Sequence, residues 1–151
     1  DVGAGSGAVG IEFMRHAPRS KAYAIDKSLT QIDMARRNAL KFGVPNLILV
    51  HKDLPEGLEG LPDPDSVFIG GGLSADLIRI CISALRDGGV LVVHAVTLES
   101  EAVLLLAWQV HGGRLVRLSV QHARPVGGFH GWRPLMPVTQ WQFTKPLDGQ
   151  D

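Results

Sequence analysis

The strongest constraint on this chain lies in its first seven residues, DVGAGSG, where glycine recurs at every second position. An apolar stripe over residues 9–14 follows directly, which predicts a glycine loop leading into a helix. Glycines spaced in this way let the backbone approach a ligand that a Cβ would exclude. The start of the helix adds free amide donors and the positive end of its dipole. We therefore predict a ligand site that includes Gly3, Gly5, Ser6 and Gly7, the alternative being an ordinary strand-to-helix turn.

Strand-like and helix-like segments alternate after this loop. Predicted strands cover residues 21–26, 46–50, 67–69 and 90–95, and predicted helices cover residues 8–17, 28–42, 76–85 and 99–110. Ser28 and Gln31 have the spacing of a capping box, and Gly43 and Gly112 are predicted helix ends. Residues 115–121 and 138–144 alternate like strands, with no helix between them. The pattern predicts an α/β fold: a mostly parallel sheet, helices on both faces and a terminal antiparallel strand pair.

Size and composition favour one domain. The chain has 151 residues, of which 45% are hydrophobic and 20% charged, enough for a single core. We assign the domain to residues 1–146 and predict a disordered tail over residues 147–151. Asp1 occupies the place of the last residue of a buried strand, so we expect the natural domain to begin further upstream.

Several classes of function are disfavoured by composition. The 15 basic and 15 acidic side chains balance, and no NPPY-type motif is present, which argues against a nucleic-acid partner. No apolar run reaches the about 20 residues that span a bilayer. Cys81 is the single cysteine, so neither a disulfide framework nor a thiolate zinc site is expected. We predict a cytoplasmic protein without membrane partner or metal.

Acidic residues follow the predicted strands. Asp1 ends the strand expected to begin upstream, Asp26 ends the strand at residues 21–26, and Asp53 follows the strand at residues 46–50. The carboxyl ends of parallel strands form the ligand crevice of open α/β sheets. Asp26, with Lys27 beside it, is placed to accept hydrogen bonds from ribose hydroxyls. Asp53 is placed to receive the exocyclic amine of adenine, with Leu54 beside the ring. The alternatives are a helix N-terminal charge for Asp26 and a solvated loop acid for Asp53.

The identity of the nucleotide rests on Asp1. Gly5, Gly7 and Gly10 also satisfy GxGxxG, the dinucleotide fingerprint, so NAD is a competing ligand. A carboxylate two residues before the first glycine attracts the cationic amino group of a methionine moiety, whereas it repels a pyrophosphate. This favours S-adenosylmethionine over NAD. Gly70, Gly71 and Gly72 extend the same edge, where an unbranched backbone would let cofactor or substrate come close, unless they form only a turn.

The glycine loop, Asp26 and Asp53 occur here in the order that resembles class I methyltransferases, whose Rossmann-like fold has a seven-stranded sheet. The stretches DSVFIGGG, TLES and GGFHGWRPLMPVTQW, at residues 65–72, 97–100 and 127–141, are more narrowly similar to the decarboxylating precorrin methyltransferases of cobalamin biosynthesis. The resemblance covers almost the whole chain.

This resemblance implies methylation of a precorrin at carbon 15, coupled to loss of carbon dioxide from the acetate on ring C. It implies S-adenosylmethionine as cofactor and a homo-oligomer, such as a tetramer. A fused N-terminal half, where present, is associated with carbon 5 methylation, and this sequence lacks one. The family's cofactor positions match Asp1, Gly3, Gly5, Gly7, Asp26, Asp53 and Gly70. The sequence departs from the family pattern at Lys52, the residue before Asp53, where relatives often have glycine.

The second half of the chain is locally cationic. Residues 102–147 contain no Asp or Glu, but they carry Arg114, Arg117, Arg124, Arg133 and Lys145. Arginine binds carboxylates with two parallel hydrogen bonds, which suits an anionic tetrapyrrole. A predicted loop at residues 127–134 adds aromatic groups. We predict substrate binding by Gly72, Arg124, Phe129, Trp132 and Arg133, the alternatives being solvated arginines and aromatic side chains that pack at an edge or between subunits.

Proton transfer has weaker candidates. His94, Glu99 and His130 lie near predicted strand ends, loops or helix starts, and we predict them as catalytic groups. Each has a structural role as its alternative. A class I methyltransferase with another small substrate and an NAD-binding Rossmann module therefore remain as competing interpretations of the chain.

Overall fold

The computed structural model describes residues 1–147. Its helices are α1 (Ala8–His16), α2 (Leu29–Lys41), α3 (Ala75–Ala84) and α4 (Leu98–His111), with a 3-10 turn at Glu56–Leu58. Its strands are β1 (Tyr23–Asp26), β2 (Ile48–His51), β3 (Ser66–Ile69), β4 (Val90–Ala95), β5 (Arg114–Leu118), β6 (Gln121–Val126), β7 (Phe129–Pro134) and β8 (Val138–Thr144). In this part of the chain, no helix has the length and apolar character needed to cross a membrane.

One mostly parallel sheet organises the fold. β1 pairs with β2 and β3 with β4 in parallel, whereas β8 lies antiparallel between β4 and β5. Val2 joins the two parts through parallel bridges to Ile25 and Ile69. The order is therefore β2, β1, Val2, β3, β4, β8, β5. The predicted α/β class and the antiparallel pair of β5 and β8 are confirmed, and the predicted seventh strand is represented by Val2 alone.

The core lies on both sides of the sheet. Ile25 and Leu91 pack with Leu104 of α4 and Trp141 of β8 in the larger cluster. A smaller cluster on the other side joins Ala24 to side chains of α1 and α2, among them Met14 and Ala39. Because successive strand residues point to opposite faces, the neighbours Ala24 and Ile25 belong to different clusters. Helices on both faces are thus confirmed.

Most helix ends follow their sequence signals. The hydroxyl of Ser28 accepts a hydrogen bond from the Gln31 amide at the start of α2, and Gly43, with φ of 74°, follows the end of that helix. The predicted capping box is only half formed. The amide of Ser28 donates to Oδ1 of Asp26 at 2.8 Å, so a carboxylate takes the donor that the Gln31 side chain was expected to bind.

A hairpin occupies the place of the predicted loop at residues 127–134. β6 and β7 pair with each other in antiparallel register and form a sheet of their own. Phe129, His130, Trp132 and Arg133 therefore lie on a strand, which corrects the loop prediction. The reason is physical: nearly every side chain of the hairpin is exposed, so neither face imposes the apolar alternation by which half-buried strands are recognised.

Candidate functional site

The glycine loop lies where Val2, β1 and β3 end. Gly3 has φ of 65°, and a Cβ there would lie 2.7 Å from the carbonyl oxygen of Gly71. Gly7 has φ of 76°, and its Cβ would lie 2.9 Å from Cβ of Ala35 on α2. Both glycines are therefore required by contacts inside the protein, and Gly3 brings the loop against the glycines that follow β3.

Gly5 differs from its two neighbouring glycines. Its φ is 55°, and the nearest atom to an added Cβ would be Oε1 of Gln31 at 3.9 Å. The backbone at Gly5 thus borders open space, as expected where a ligand approaches closely. In the first turn of α1, the amides have no carbonyl partner four residues earlier within the helix, and that of Gly10 donates to a side chain, the carboxylate of Asp1.

Ser6 is held by a residue that the sequence analysis missed. The side-chain amide of Asn38 donates to the carbonyl oxygen of Ser6 at 3.0 Å. Asn38 lies three residues after Ala35, so both occupy the face of α2 that meets the loop. The sequence could have indicated this contact, because the spacing places Asn38, a polar side chain, on the apolar stripe of the helix.

Asp1 has one satisfied and one unsatisfied oxygen. Its Oδ2 accepts a hydrogen bond from the amide of Gly10 at 3.1 Å. Its Oδ1 is buried and has no hydrogen-bond partner among residues 1–147. A buried carboxylate oxygen without a donor is costly. This atom is therefore available to accept a hydrogen bond from a group outside residues 1–147, and a cationic donor would compensate its charge.

Asp26 is fixed by the backbone on both sides. Oδ2 accepts the amide of Gly5 at 2.9 Å, and Oδ1 accepts the amide of Ser28 at 2.8 Å. Each carboxylate oxygen has a further lone pair, so Asp26 keeps acceptor capacity for ligand hydroxyls beside the open space at Gly5. Lys27 follows with an exposed side chain, while its carbonyl oxygen lies 3.0 Å from Nε2 of His51.

The third predicted acid is the least enclosed. Asp53 is exposed, and its Oδ1 accepts the amide of Leu54 at 2.9 Å. Leu54 is half-buried, and its Cδ1 would lie 3.5 Å from a Cβ on Gly72. The segment after β2 therefore lies against the glycines after β3, so the structure brings the predicted cofactor residues together along one edge. Lys52, the departure from the family pattern, is exposed.

Two aromatic rings, those of Phe68 and His94, connect the glycines after β3 to the sheet. A Cβ on Gly70 would lie 2.9 Å from the ring of Phe68. The rings of Phe68 and His94 meet edge to face with centroids 4.8 Å apart. Nε2 of His94 lies 2.8 Å from Oε1 of Gln140. His94 is thus linked to the glycine edge through Phe68, and Gln140 holds its ring from the neighbouring strand.

The other two predicted catalytic groups have different surroundings. Glu99 is exposed in the first turn of α4, and His130 is exposed on β7 opposite Pro125. Within residues 1–147, no cluster of three His, Cys, Asp or Glu side chains forms a candidate metal site. Cys81 is buried in the larger core cluster, as predicted, and burial raises the pKa of its thiol to about 11.

A polar network at the same edge was not predicted. The hydroxyl of buried Thr139 donates to Oε2 of Glu101 at 2.7 Å and accepts from Nε of Arg117 at 3.1 Å, while Arg117 also pairs with Glu101. The Thr139 hydroxyl and the Arg117 guanidinium hold the pKa of Glu101 below its usual value, against the opposing effect of burial. The sequence does contain a signal for this network. Thr139 falls among the alternate residues of β8 that point into the core, where a polar side chain needs a hydrogen-bond partner.

The hairpin separates the predicted substrate residues. Directly paired residues of antiparallel strands share a face, so the register assigns two sets. We call them the basic face (His122, Arg124, Val126, Phe129, Gly131, Arg133) and the neutral face (Gln121, Ala123, Pro125, His130, Trp132, Pro134). Arg124, Phe129 and Arg133 therefore lie on one side of the hairpin, and His130 and Trp132 lie on the other.

Known proteins share this sequence and fold. A precorrin-6Y C(5,15)-methyltransferase (decarboxylating) from Sinorhizobium sp is 47% identical over 146 residues, covering 96% of this chain and 35% of that protein. The chain thus spans about a third of that relative. A probable cobalt-precorrin-6B C(15)-methyltransferase (decarboxylating) from Pyrobaculum aerophilum is 34% identical over 145 residues, covering 91% and 74%.

A solved structure and a family model agree with these relatives. The crystal structure of the C-terminal domain of precorrin-6Y C5,15-methyltransferase from Rhodobacter capsulatus matches with a TM-score of 0.89 and 35% identity, over 96% of this chain and 78% of that one. The model of the precorrin methyltransferase domain matches residues 1–145. Because the family model matches nearly the whole chain and the solved structure shares its fold, this chain belongs to the precorrin methyltransferase domain family.

Proposed function

We propose that this chain is an S-adenosylmethionine-dependent C-methyltransferase that methylates carbon 15 of a precorrin and releases the ring C acetate carboxyl as carbon dioxide. The lengths of the relatives support methylation at carbon 15. The chain covers 74% of the relative named for carbon 15 alone, but only 35% of one named for carbons 5 and 15. The shared part therefore corresponds to the carbon 15 and decarboxylation steps.

The observation that carries the cofactor assignment is the buried, unpartnered Oδ1 of Asp1. The cationic amino group of a methionine moiety would satisfy it, whereas the pyrophosphate of NAD would place negative charge against it. Asp26 would hold the ribose hydroxyls with its remaining lone pairs, and Asp53 with Leu54 would hold the adenine. The backbone is open at Gly5 and Gly71, where the nearest atom to an added Cβ would lie 3.9 Å away in each case, and this leaves room for the cofactor. When bound, S-adenosylmethionine supplies an electrophilic methyl group.

The protein's part in the methylation is positioning. Because the conjugated tetrapyrrole itself provides the carbon nucleophile, no strong general base is needed, and orientation alone can contribute roughly 7–11 kcal/mol. In the decarboxylation, the bond to the carboxyl carbon breaks, and its electron pair returns to the macrocycle. The carbon left behind then takes up a proton.

Of the three predicted proton-transfer groups, His94 is the one supported by surrounding contacts. Phe68 and Gln140 fix its ring, and a bond from Nε2–H to Gln140 leaves Nδ1 as the free nitrogen. Glu99 and His130 have exposed side chains. We propose His94 as the group that moves the proton, with Glu99 and His130 as alternatives.

Assembly and location form part of the proposal. A homo-oligomer such as a tetramer is supported by the neutral face of the hairpin, where Trp132 is 73% exposed. A reducing cytoplasm suits the single buried cysteine. Light scattering on the intact protein measures the oligomeric state, and a monomer at working concentration would contradict the assembly.

The cofactor assignment is tested by calorimetric titration with S-adenosylhomocysteine and, separately, with NAD. The wild-type protein should bind only the former. Asp26→Ala and the closer mimic Asp26→Asn should lose that binding, whereas Asp63→Ala, an exposed acid before β3, should keep it. Binding of NAD alone would overturn the assignment.

The reaction is tested with a precorrin substrate and S-adenosylmethionine labelled in its methyl group. Mass spectrometry should show one labelled methyl gained together with loss of carbon dioxide, and fragmentation should locate the methyl at carbon 15. A methylated product that keeps every carboxyl would refute the decarboxylating function, while leaving the cofactor assignment intact.

A further inference from the structure

The basic side chains of the acid-free segment fall into two groups. Arg117 is bound to Glu101 and Thr139, and Nζ of Lys145 donates to the carbonyl oxygen of Leu85 at 2.6 Å. Arg114, Arg124 and Arg133 form no ion pair with residues 1–147; Arg114 lies at the start of β5, whereas Arg124 and Arg133 both lie on the basic face of the hairpin. Their charge is therefore available to a ligand.

The register places these two arginines as diagonal neighbours. Arg124 lies opposite Gly131, and Arg133 is two residues further along β7, opposite His122. Diagonal neighbours are about 7–8 Å apart at the backbone, which long side chains easily span. Two like charges at this distance repel each other, and residues 102–147 contain no acid to compensate. An anion with more than one charge would relieve the repulsion.

The hairpin begins at the edge of the sheet that carries the glycine loop. At its base, the amide of Leu135 donates to the carbonyl oxygen of Val120 at 2.9 Å. The adjoining strands pair with each other there, Leu118 with Val138, and Thr139 pairs with Ala95, the last residue of β4. Because β4 runs parallel to β3, its carboxyl end shares an edge with the glycines after β3.

We propose that the basic face of the hairpin is a carboxylate-binding arm, on which Arg124 and Arg133 each bind a carboxylate of one polycarboxylate ligand. Guanidinium groups bind carboxylates through two parallel hydrogen bonds. Val126 and Phe129 add an apolar surface at the tip, and Cγ2 of Val126 would lie 3.2 Å from a Cβ on Gly131, the residue opposite Arg124. The neutral face, with Trp132, takes no carboxylate. This inference rests on the proposed function in one respect, that the substrate is a polycarboxylate tetrapyrrole.

Uroporphyrin, a stable polycarboxylate tetrapyrrole, serves as the probe, and its binding is followed by fluorescence on the intact protein. The variant Arg124→Gln/Arg133→Gln should weaken binding by about tenfold or more, and the wild-type affinity should fall as salt is raised. Arg114→Gln is the matched control, since Arg114 is an exposed arginine at the opposite end of β5. It should leave the affinity unchanged.

A charge-conserving variant tests the face itself. Arg124→Gln/Ala123→Arg moves one guanidinium to the neutral face without changing net charge, and it should bind uroporphyrin as weakly as Arg124→Gln. Restored binding would overturn the inference, because general charge attraction would then explain the affinity. No uroporphyrin binding by the wild-type protein, or capture of transfer RNA by the same arginines in its place, would also overturn it. S-adenosylhomocysteine titrations of the same variants should be normal, which separates failure of the arm from failure of the cofactor site.

Discussion

The glycine loop and the β6–β7 hairpin differ in how far contacts within the chain fix them. In the loop, Gly3 packs against Gly71 and Gly7 against Ala35, and Asn38 holds the carbonyl oxygen of Ser6. In the hairpin, β6 and β7 pack chiefly against each other, and their side chains point into solvent. The first region is organised by contacts within the chain, whereas the second presents groups that have no partner in residues 1–147.

This difference separates two functions of a transferase. A loop fixed by its own packing loses little entropy when a ligand binds, so it suits a ligand that must be held in one orientation. An exposed arm with paired arginines suits recognition of charge at a larger ligand. Changes in the loop should therefore affect stability and cofactor affinity together, and changes in the hairpin should affect recognition alone.

The largest effect is expected for Gly3→Ala. Its Cβ would overlap the backbone of Gly71, and the positive φ is strained for alanine, so the free energy of unfolding should fall by about 4 kcal/mol or more. Gly127→Ala at the hairpin turn is the matched control, because its φ is 58° and no atom lies within 4 Å of an added Cβ. It should cost about 1 kcal/mol. Urea unfolding measures the free energy of unfolding of both variants. Equal losses would contradict the view that the glycine loop is fixed by internal contacts and the hairpin is not.

Asn38→Ala should have an intermediate effect. Loss of the 3.0 Å hydrogen bond to Ser6 should lower the free energy of unfolding by about 1 kcal/mol and weaken S-adenosylhomocysteine binding. Asn46→Ala removes an exposed asparagine and should change neither. If Asn38→Ala lowers stability but leaves the affinity intact, the loop does not depend on this contact for its binding geometry.

The sequence predicted the loop better than the hairpin, and the reason lies in burial. The apolar alternation of β8 and the Ser28 cap of α2 reflect contacts within the chain, so periodicity and local chemistry reveal them. The hairpin residues pack into no core, so the sequence predicted only a loop at residues 127–134. The two faces of the hairpin depend on a strand register that no local signal fixes.

Within the site, the acids at strand ends were predictable, because the carboxyl edge of a parallel sheet is a general ligand position. Their partners were not. The hydrogen bonds from Gly5 to Asp26 and from Asn38 to Ser6, and the contact of Phe68 with His94, join residues that are distant in sequence. Such contacts follow from tertiary packing, which single-sequence patterns do not contain.

A smaller and pH-dependent effect is expected at the base of the hairpin. The folded state favours the charged form of Glu101 through Thr139 and Arg117, which lowers the pKa of Glu101 below its usual value. This stabilisation is present at neutral pH and is lost as the pH falls through the lowered pKa. The stability difference between wild type and Glu101→Gln, from urea unfolding, should therefore be largest at neutral pH and shrink in acid. Glu59→Gln, an exposed control, should show no such trend, and a Glu101→Gln difference that grows in acid would refute this assignment.

The smallest effect is expected at the tip of the hairpin. Phe129 is 81% exposed and Phe143 is 7% exposed, so the same substitution tests the two kinds of region directly. Phe143→Ala should cost about 3–5 kcal/mol, whereas Phe129→Ala should change the free energy of unfolding by no more than about 0.5 kcal/mol. Urea unfolding at two protein concentrations measures the free energy of unfolding of both variants. A large loss for Phe129→Ala at both concentrations would mean that the tip packs against its own chain, which would break the comparison. A loss that appears only at the higher concentration would place the tip in a contact between copies, because stability from association depends on protein concentration.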